Sequence, residues 1–148
     1  MNYRFSYSHN GNQYLIDLDR EKFDHLHFSV FSITLDFISK NNEFNLLHLS
    51  RFIGQNISEV FRDDEECIIF FISDTTAIIM NEERNLSPQE YRHELFKKMI
   101  SLSKIDVSYS ELIINNDTFL TTVCLRGKEA NQRLVETEII GLAEKNHK

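Results

Sequence analysis

Two runs of alternating apolar and polar residues open the chain and predict a β-hairpin. The apolar positions of these runs are Tyr3, Phe5, Tyr7, Tyr14, Ile16 and Leu18. Asn10 and Gly11 lie between the runs and favour a tight turn. A third extended segment is predicted for residues 26–37, where the apolar positions change face between Val30 and Phe31. A β-bulge, a bend or a break in the strand would each produce that change.

Apolar residues at three- and four-residue spacing predict three helices. The first covers residues 46–61, with Asn45 as its N-cap. The second begins at Ser87-Pro88, because a serine can cap the helix and a proline suits its first turn. The third covers residues 132–145. The predicted buried faces of the last two helices comprise Tyr91, Leu95, Met99, Leu102, Val135, Ile139 and Leu142.

The remaining apolar segments predict strands. Residues 67–72 are apolar throughout, as in a central strand that is covered on both faces. Residues 77–80 form a short candidate strand, and residues 109–114 and 118–125 predict a closing hairpin. We therefore expect residues 1–148 to form a single α+β domain, in which three helices cover a mainly antiparallel sheet of five to six strands. The helix–strand–helix order in the middle of the chain leaves a partly parallel sheet as the alternative.

The composition suits one globular domain and excludes several classes of protein. The chain has 148 residues, of which 41% are hydrophobic, and its four scattered glycines form neither a P-loop nor a dinucleotide-binding fingerprint. Residues 1–13 are polar and no apolar run is long enough to span a bilayer, so we expect a cytosolic protein without membrane contact. Cys67 and Cys124 lie in apolar segments and are expected to be buried thiols.

The negative charge is concentrated in one part of the chain. Residues 59–90 carry nine carboxylates and two basic side chains. The net charge of this segment is −7, the same as that of the whole chain. This balance, without a basic stripe, argues against nucleic-acid binding. The acidic segment is centred on the run Asp63, Asp64, Glu65 and Glu66. That run is either a solvated helix end or a docking surface for a basic protein partner. A divalent metal site is a weaker option, because consecutive carboxylates seldom converge on one ion.

An acidic residue after the apolar strand is the first candidate for catalysis. Asp74 lies just beyond the apolar run of residues 67–72, after Ser73, at a position that holds a side chain rigidly and leaves it exposed. It could act as a nucleophile, a base or a Mg²⁺ ligand, with help from Arg92, or it could accept hydrogen bonds from turn amides. Phosphotransferases that use such a strand have a second aspartate two residues later, and this chain has Thr76 at that position.

The remaining candidates for metal binding or catalysis are histidines and a group of carboxylates near the second strand. His25 and His27 would share one strand face beside Asp24, but two imidazoles need further ligands to hold a metal. His93 does not open an HExxH motif, because Lys97 occupies the fourth following position. The candidates for a carboxylate–lysine nuclease are Asp17, Asp19, Glu21 and Lys22. Glu21 and Lys22 are neighbours and would point to opposite faces, so solvated turn residues are the better interpretation.

One segment resembles a known family. The strand and acidic turn of residues 68–74, followed by a helix with Arg92 and the pair Leu95-Phe96, are similar to a small bacterial family described only as domain of unknown function 6169. The order of elements is also similar over most of the chain. The two differ in that residues 75–86 separate the turn from the helix here. The resemblance implies an outline of the fold and no catalytic residues.

These observations favour a small cytosolic protein-binding domain, for example an accessory, immunity or antitoxin-like component. Its predicted binding surface is acidic and consists of Asp63, Asp64, Glu65 and Glu66. The alternative is an enzyme of unrecognised type that uses Asp74. A homodimer that buries one of the aromatic strands is compatible with either function. No residue pattern indicates a cofactor or a metal.

Overall fold

The fold is described from a computed structural model that covers residues 2–9, 11–38, 46–73, 88–114 and 118–146. Its strands are β1 (Tyr3–His9), β2 (Asn12–Glu21), β3 (Val30–Ile38), β4 (Ile68–Ser73), β5 (Val107–Ile114) and β6 (Thr118–Leu125). Its helices are α1 (Leu46–Asp63), α2 (Pro88–Ser103) and α3 (Glu129–Asn146). The predicted strand at residues 77–80, the N-cap residues Asn45 and Ser87, and Asp74 lie outside the described residues.

The described strands form one mixed sheet with the order β1-β2-β3-β4-β6-β5. Strands β3 and β4 pair in parallel, with Val30 opposite Ile68, and every other neighbouring pair is antiparallel. The α+β prediction is thus confirmed, and so is the parallel component that the helix–strand–helix order suggested. Strand β4 lies inside the sheet, as its continuous apolar sequence predicted.

Helices cover both faces of the sheet. Helices α1 and α2 pack on one face, over a core that includes Ile16, Ile53, Ile69 and Phe96. Helix α3 packs on the other face, against β4, β5 and β6. That second core comprises Val30, Ile68, Phe70, Ile114, Leu120, Cys124, Val135 and Ile139. The alternating residues of β4 therefore contribute to both cores, which explains why none of them is polar before Ser73.

The third strand begins later than predicted. Strand β3 starts at Val30, while Leu26 and Phe28 lie in the preceding loop and pack against the second core. Val30 and Phe31 are adjacent strand residues, so they face opposite sides of the sheet and contribute to different cores. None of the three explanations for the change of face applies, because β3 is continuous and regularly paired through Val30 and Phe31 and each residue packs in a different core.

The buried faces of α2 and α3 differ from the prediction. In α2, Met99 is buried as expected and Leu95 is half-buried against the first core. Phe96 and Ile100 are buried without having been predicted, and Leu102 is only half-buried. Phe96 stacks on Phe71 of β4 with ring centroids 4.7 Å apart, and this contact sets the rotation of the helix. The side chain of Tyr91 is outside the described residues.

Helix α3 begins three residues before the predicted start. The Gly127 N–H donates to the Glu129 carboxylate over 2.9 Å, and Gly127 has the positive φ of 95° that turns the chain from β6 into the helix. Val135 and Ile139 are buried as predicted. Leu142 is 50% exposed, so its prediction is wrong; Ile140 packs against the second core instead.

Both cysteines are buried and free, as predicted. Burial raises the pKa of the Cys67 thiol to about 12 and that of Cys124 to about 11. The reactive thiolate is therefore scarce at neutral pH, and the sulfur atoms are shielded from reagents. No helix in the described part of the chain combines the length and the apolar character needed to cross a membrane.

We expect the native protein to react with a thiol–disulfide reagent such as dithiobis(nitrobenzoate) only after it unfolds. In buffer at pH 8 the absorbance change should be negligible over minutes, and in concentrated guanidinium chloride both thiols should be titrated. Rapid modification of one equivalent in the native protein would show that Cys67 or Cys124 is accessible and would contradict the buried placement.

Candidate functional site

The four carboxylates predicted as a docking surface lie between α1 and β4, in a segment we call the acidic turn (residues 63–66). The Asp64 N–H donates to the Val60 carbonyl over 2.9 Å and continues the hydrogen bonding of α1. The Asp64 carboxylate accepts a hydrogen bond from the Glu66 N–H over 3.2 Å, and the Cys67 N–H donates to the Asp64 carbonyl. Asp64 therefore fixes the conformation of the turn through both its backbone and its side chain.

Glu66 ties the acidic turn to α3. Its carboxylate accepts hydrogen bonds from the Lys128 ammonium group and, over 3.1 Å, from the Asn131 amide. The same amide also donates to the Glu66 carbonyl over 3.2 Å. The hydrogen bond from Lys128 is the main reason why the pKa of Glu66 lies below its usual value. Glu66 is therefore engaged within the chain and is less available to a partner than sequence alone suggested.

Asp63 and Glu65 are the two residues of the acidic turn whose carboxylates form no hydrogen bond or ion pair with another described residue. Both residues are exposed, whereas Asp64 is half-buried. Tyr3 of β1 lies beside the turn: burial raises the pKa of its phenol most, and the charges of Asp63 and Asp64 raise it further. The acidic turn thus presents two exposed carboxylates next to an aromatic side chain, on a backbone that Asp64 and Glu66 hold in place. The charge of Glu65 also acts on Lys128: the hydrogen bond to Glu66 raises the pKa of that ammonium group most, and Glu65 raises it further.

The contact between Glu66 and Lys128 predicts a pH-dependent contribution to stability. Because the pKa of Glu66 is lower in the folded protein, ionised Glu66 stabilises the fold above its unfolded pKa, and this stabilisation is lost as the pH falls through the folded pKa. Glu66→Gln should therefore be less stable than the wild type at pH 7, and the difference should vanish in acid. Urea unfolding between pH 7 and pH 3 measures the free energy of unfolding of both proteins as a function of pH.

Lys128→Met provides the control for this prediction. In that background Glu66→Gln should change the free energy of unfolding much less, because the cation that lowers the pKa of Glu66 is absent. A difference between wild type and Glu66→Gln that stays constant with pH, or one that persists in Lys128→Met, would contradict the proposed tie.

The carboxylates of β2 share one exposed face but are engaged with neighbours. Asp17 accepts two hydrogen bonds from the Arg4 guanidinium, from Nε over 2.7 Å and from Nη2 over 3.3 Å. The Glu21 carboxylate accepts from the Ser32 hydroxyl over 2.7 Å. Lys22 lies beyond the end of β2, outside the strand. These residues are not arranged as a carboxylate–lysine catalytic set, which agrees with their interpretation as solvated polar residues.

His25 and His27 lie in the loop between β2 and β3 and not on a strand. Both are exposed, as is Asp24. Among the described residues there is no group of three or more histidine, cysteine, aspartate or glutamate side chains that could hold a metal ion. The prediction of surface histidines is confirmed, but the strand that was to carry them begins only at Val30.

A partly buried polar network centred on His93 of α2 escaped the sequence analysis. His93 is 4% exposed, and its ring contacts residues of both β5 and β6. Its Nε2 is 2.8 Å from the Glu111 carboxylate, and its Nδ1 is 3.2 Å from the Thr121 hydroxyl. The Lys97 ammonium group is 3.0 Å from the same Glu111 oxygen. We call these four residues the His93 network.

The geometry assigns the protons of this network. Hydrogen bonding from Lys97 lowers the pKa of Glu111 most, so Glu111 is ionised at neutral pH and can only accept. The Nε2–H of His93 therefore donates to Glu111. A hydroxyl, an imidazole and a carboxylate in this order resemble a catalytic triad. However, Thr121 is only 1% exposed, so a substrate cannot reach its hydroxyl, and the network joins α2 to the sheet.

A sequence signal for His93 does exist. His93, Phe96 and Ile100 follow helical spacing, and all three are buried. They form a stripe on α2 next to the stripe that the sequence analysis predicted to be buried. A histidine on the buried side of a helix requires polar partners from other elements. Glu111 and Thr121 lie opposite each other in the hairpin of β5 and β6 and meet this requirement.

The residues of the enzymatic alternative are not assembled in the described part of the chain. Asp74 lies outside the described residues, and so does the side chain of Arg92, whose backbone lies in α2. The catalytic role of Asp74 stays a prediction.

A shallow groove of about 330 Å³ runs beside α1. Arg51 and Arg62 lie on one side of the helix and line it, together with Glu59 and two residues near the end of α2, Ser103 and Ile105. Neither arginine forms an ion pair with another described residue. The groove combines both signs of charge, and its lining does not define one class of ligand.

Comparisons with models of protein families, with curated proteins and with solved structures found no match for this chain. The resemblance to domain of unknown function 6169 therefore stays a prediction.

Proposed function

We propose that this chain is a small cytosolic protein-binding domain, of the accessory, immunity or antitoxin-like kind, and that its acidic turn recognises a basic surface on a partner protein. The exposed side chains of Asp63 and Glu65 make the contact. Asp64 and Glu66 hold the turn in position, Asp64 by accepting the Glu66 N–H and Glu66 through Lys128 and Asn131.

The observation that carries the proposal is that the four carboxylates have different roles: those of Asp63 and Glu65 are exposed, and those of Asp64 and Glu66 hold the turn in position. A solvated helix end needs no fixed conformation. This turn, in contrast, is hydrogen-bonded to itself, to Lys128, which lies 62 residues further along the chain, and to Asn131 of α3. Because the backbone of the turn is already fixed, binding through its exposed carboxylates costs little further backbone entropy. This arrangement supports recognition more than it supports solubility alone.

Exposed carboxylates of this kind act mainly on association. They attract a basic surface over roughly the Debye length, about 10 Å at 0.1 M salt. They also orient the partner before contact, so their removal slows association and weakens its salt dependence. We expect the same behaviour for Asp63 and Glu65.

Affinity capture from the native cell tests the proposal. The wild type, Asp63→Asn/Glu65→Gln and the control Glu138→Gln/Glu144→Gln are used as baits, and bound proteins are quantified by mass spectrometry. Glu138 and Glu144 lie on α3 and give the same change of charge away from the turn. A basic protein lost from the first variant and retained by the control supports the proposal, and equal capture by all three baits would contradict it.

A further inference from the structure

We draw no further inference here: the strongest candidate, the edge of the sheet at β5 with its exposed side chains Tyr109 and Ile113, carries none, because nothing in the described part of the structure shows what covers it.

Discussion

Replacement of His93 by alanine is expected to lower the free energy of unfolding by about 2–4 kcal/mol, the range for losing a buried side chain together with its hydrogen bonds. The substitution leaves a cavity beside Phe119, whose ring centroid is 5.0 Å from that of His93. It also removes the partner of the Thr121 hydroxyl, which is 1% exposed and can gain little from water. Urea unfolding at pH 7, followed by circular dichroism, measures the loss.

His25→Ala is the matched control, because His25 is exposed in a loop and its removal should change stability by no more than about 0.5 kcal/mol. His93→Gln should lose less than His93→Ala, since an amide can still donate to Glu111. Equal stabilities of His93→Ala and His25→Ala would show that the His93 network does not hold α2 to the sheet.

Gly54→Ala is the second large effect, with an expected loss of about 1–3 kcal/mol from overpacking. Helices α1 and α2 approach so closely at Gly54 that an added Cβ would lie 2.6 Å from Cβ of Ser103. The Ser103 Cβ is fixed to the helix backbone, so one of the helices must shift. This cost opposes the gain of about 1 kcal/mol that alanine normally brings to a helix. Thermal and urea unfolding measure the net change.

Gly141→Ala measures the gain that alanine brings to a helix without the cost of overpacking. Gly141 is also helical, and an added Cβ there meets nothing within 4 Å, so the substitution should raise stability by about 0.5–1 kcal/mol. Gly54→Ala combined with Ser103→Gly should recover part of the loss, because the clashing Cβ is removed. A stabilised Gly54→Ala protein would contradict the close contact between α1 and α2.

Local patterns were sufficient for most of the fold. Alternation predicted the hairpin of β1 and β2, and helical spacing predicted α1, in which Leu49, Ile53 and Ile57 are buried. The rotation of α2 could not be predicted from spacing, because two neighbouring stripes on that helix are apolar. The stacking of Phe96 on Phe71, a contact between distant elements, decides between them.

Sequence located the acidic turn but not the roles within it. Its four carboxylates look equivalent in the sequence, since nothing local distinguishes Glu66 from Glu65. The difference arises from Lys128 and Asn131, which the packing of α3 on the sheet brings to Glu66. The His93 network was missed for the same reason, because its members come from α2, β5 and β6.

The rate of association with the captured partner tests the role of the acidic turn most directly. We predict that Asp63→Asn/Glu65→Gln associates about tenfold more slowly than the wild type at low salt and that the two rates converge at high salt. Glu138→Gln/Glu144→Gln should associate at the wild-type rate under both conditions. Equal rates for the wild type and Asp63→Asn/Glu65→Gln at low salt would contradict recognition through the acidic turn.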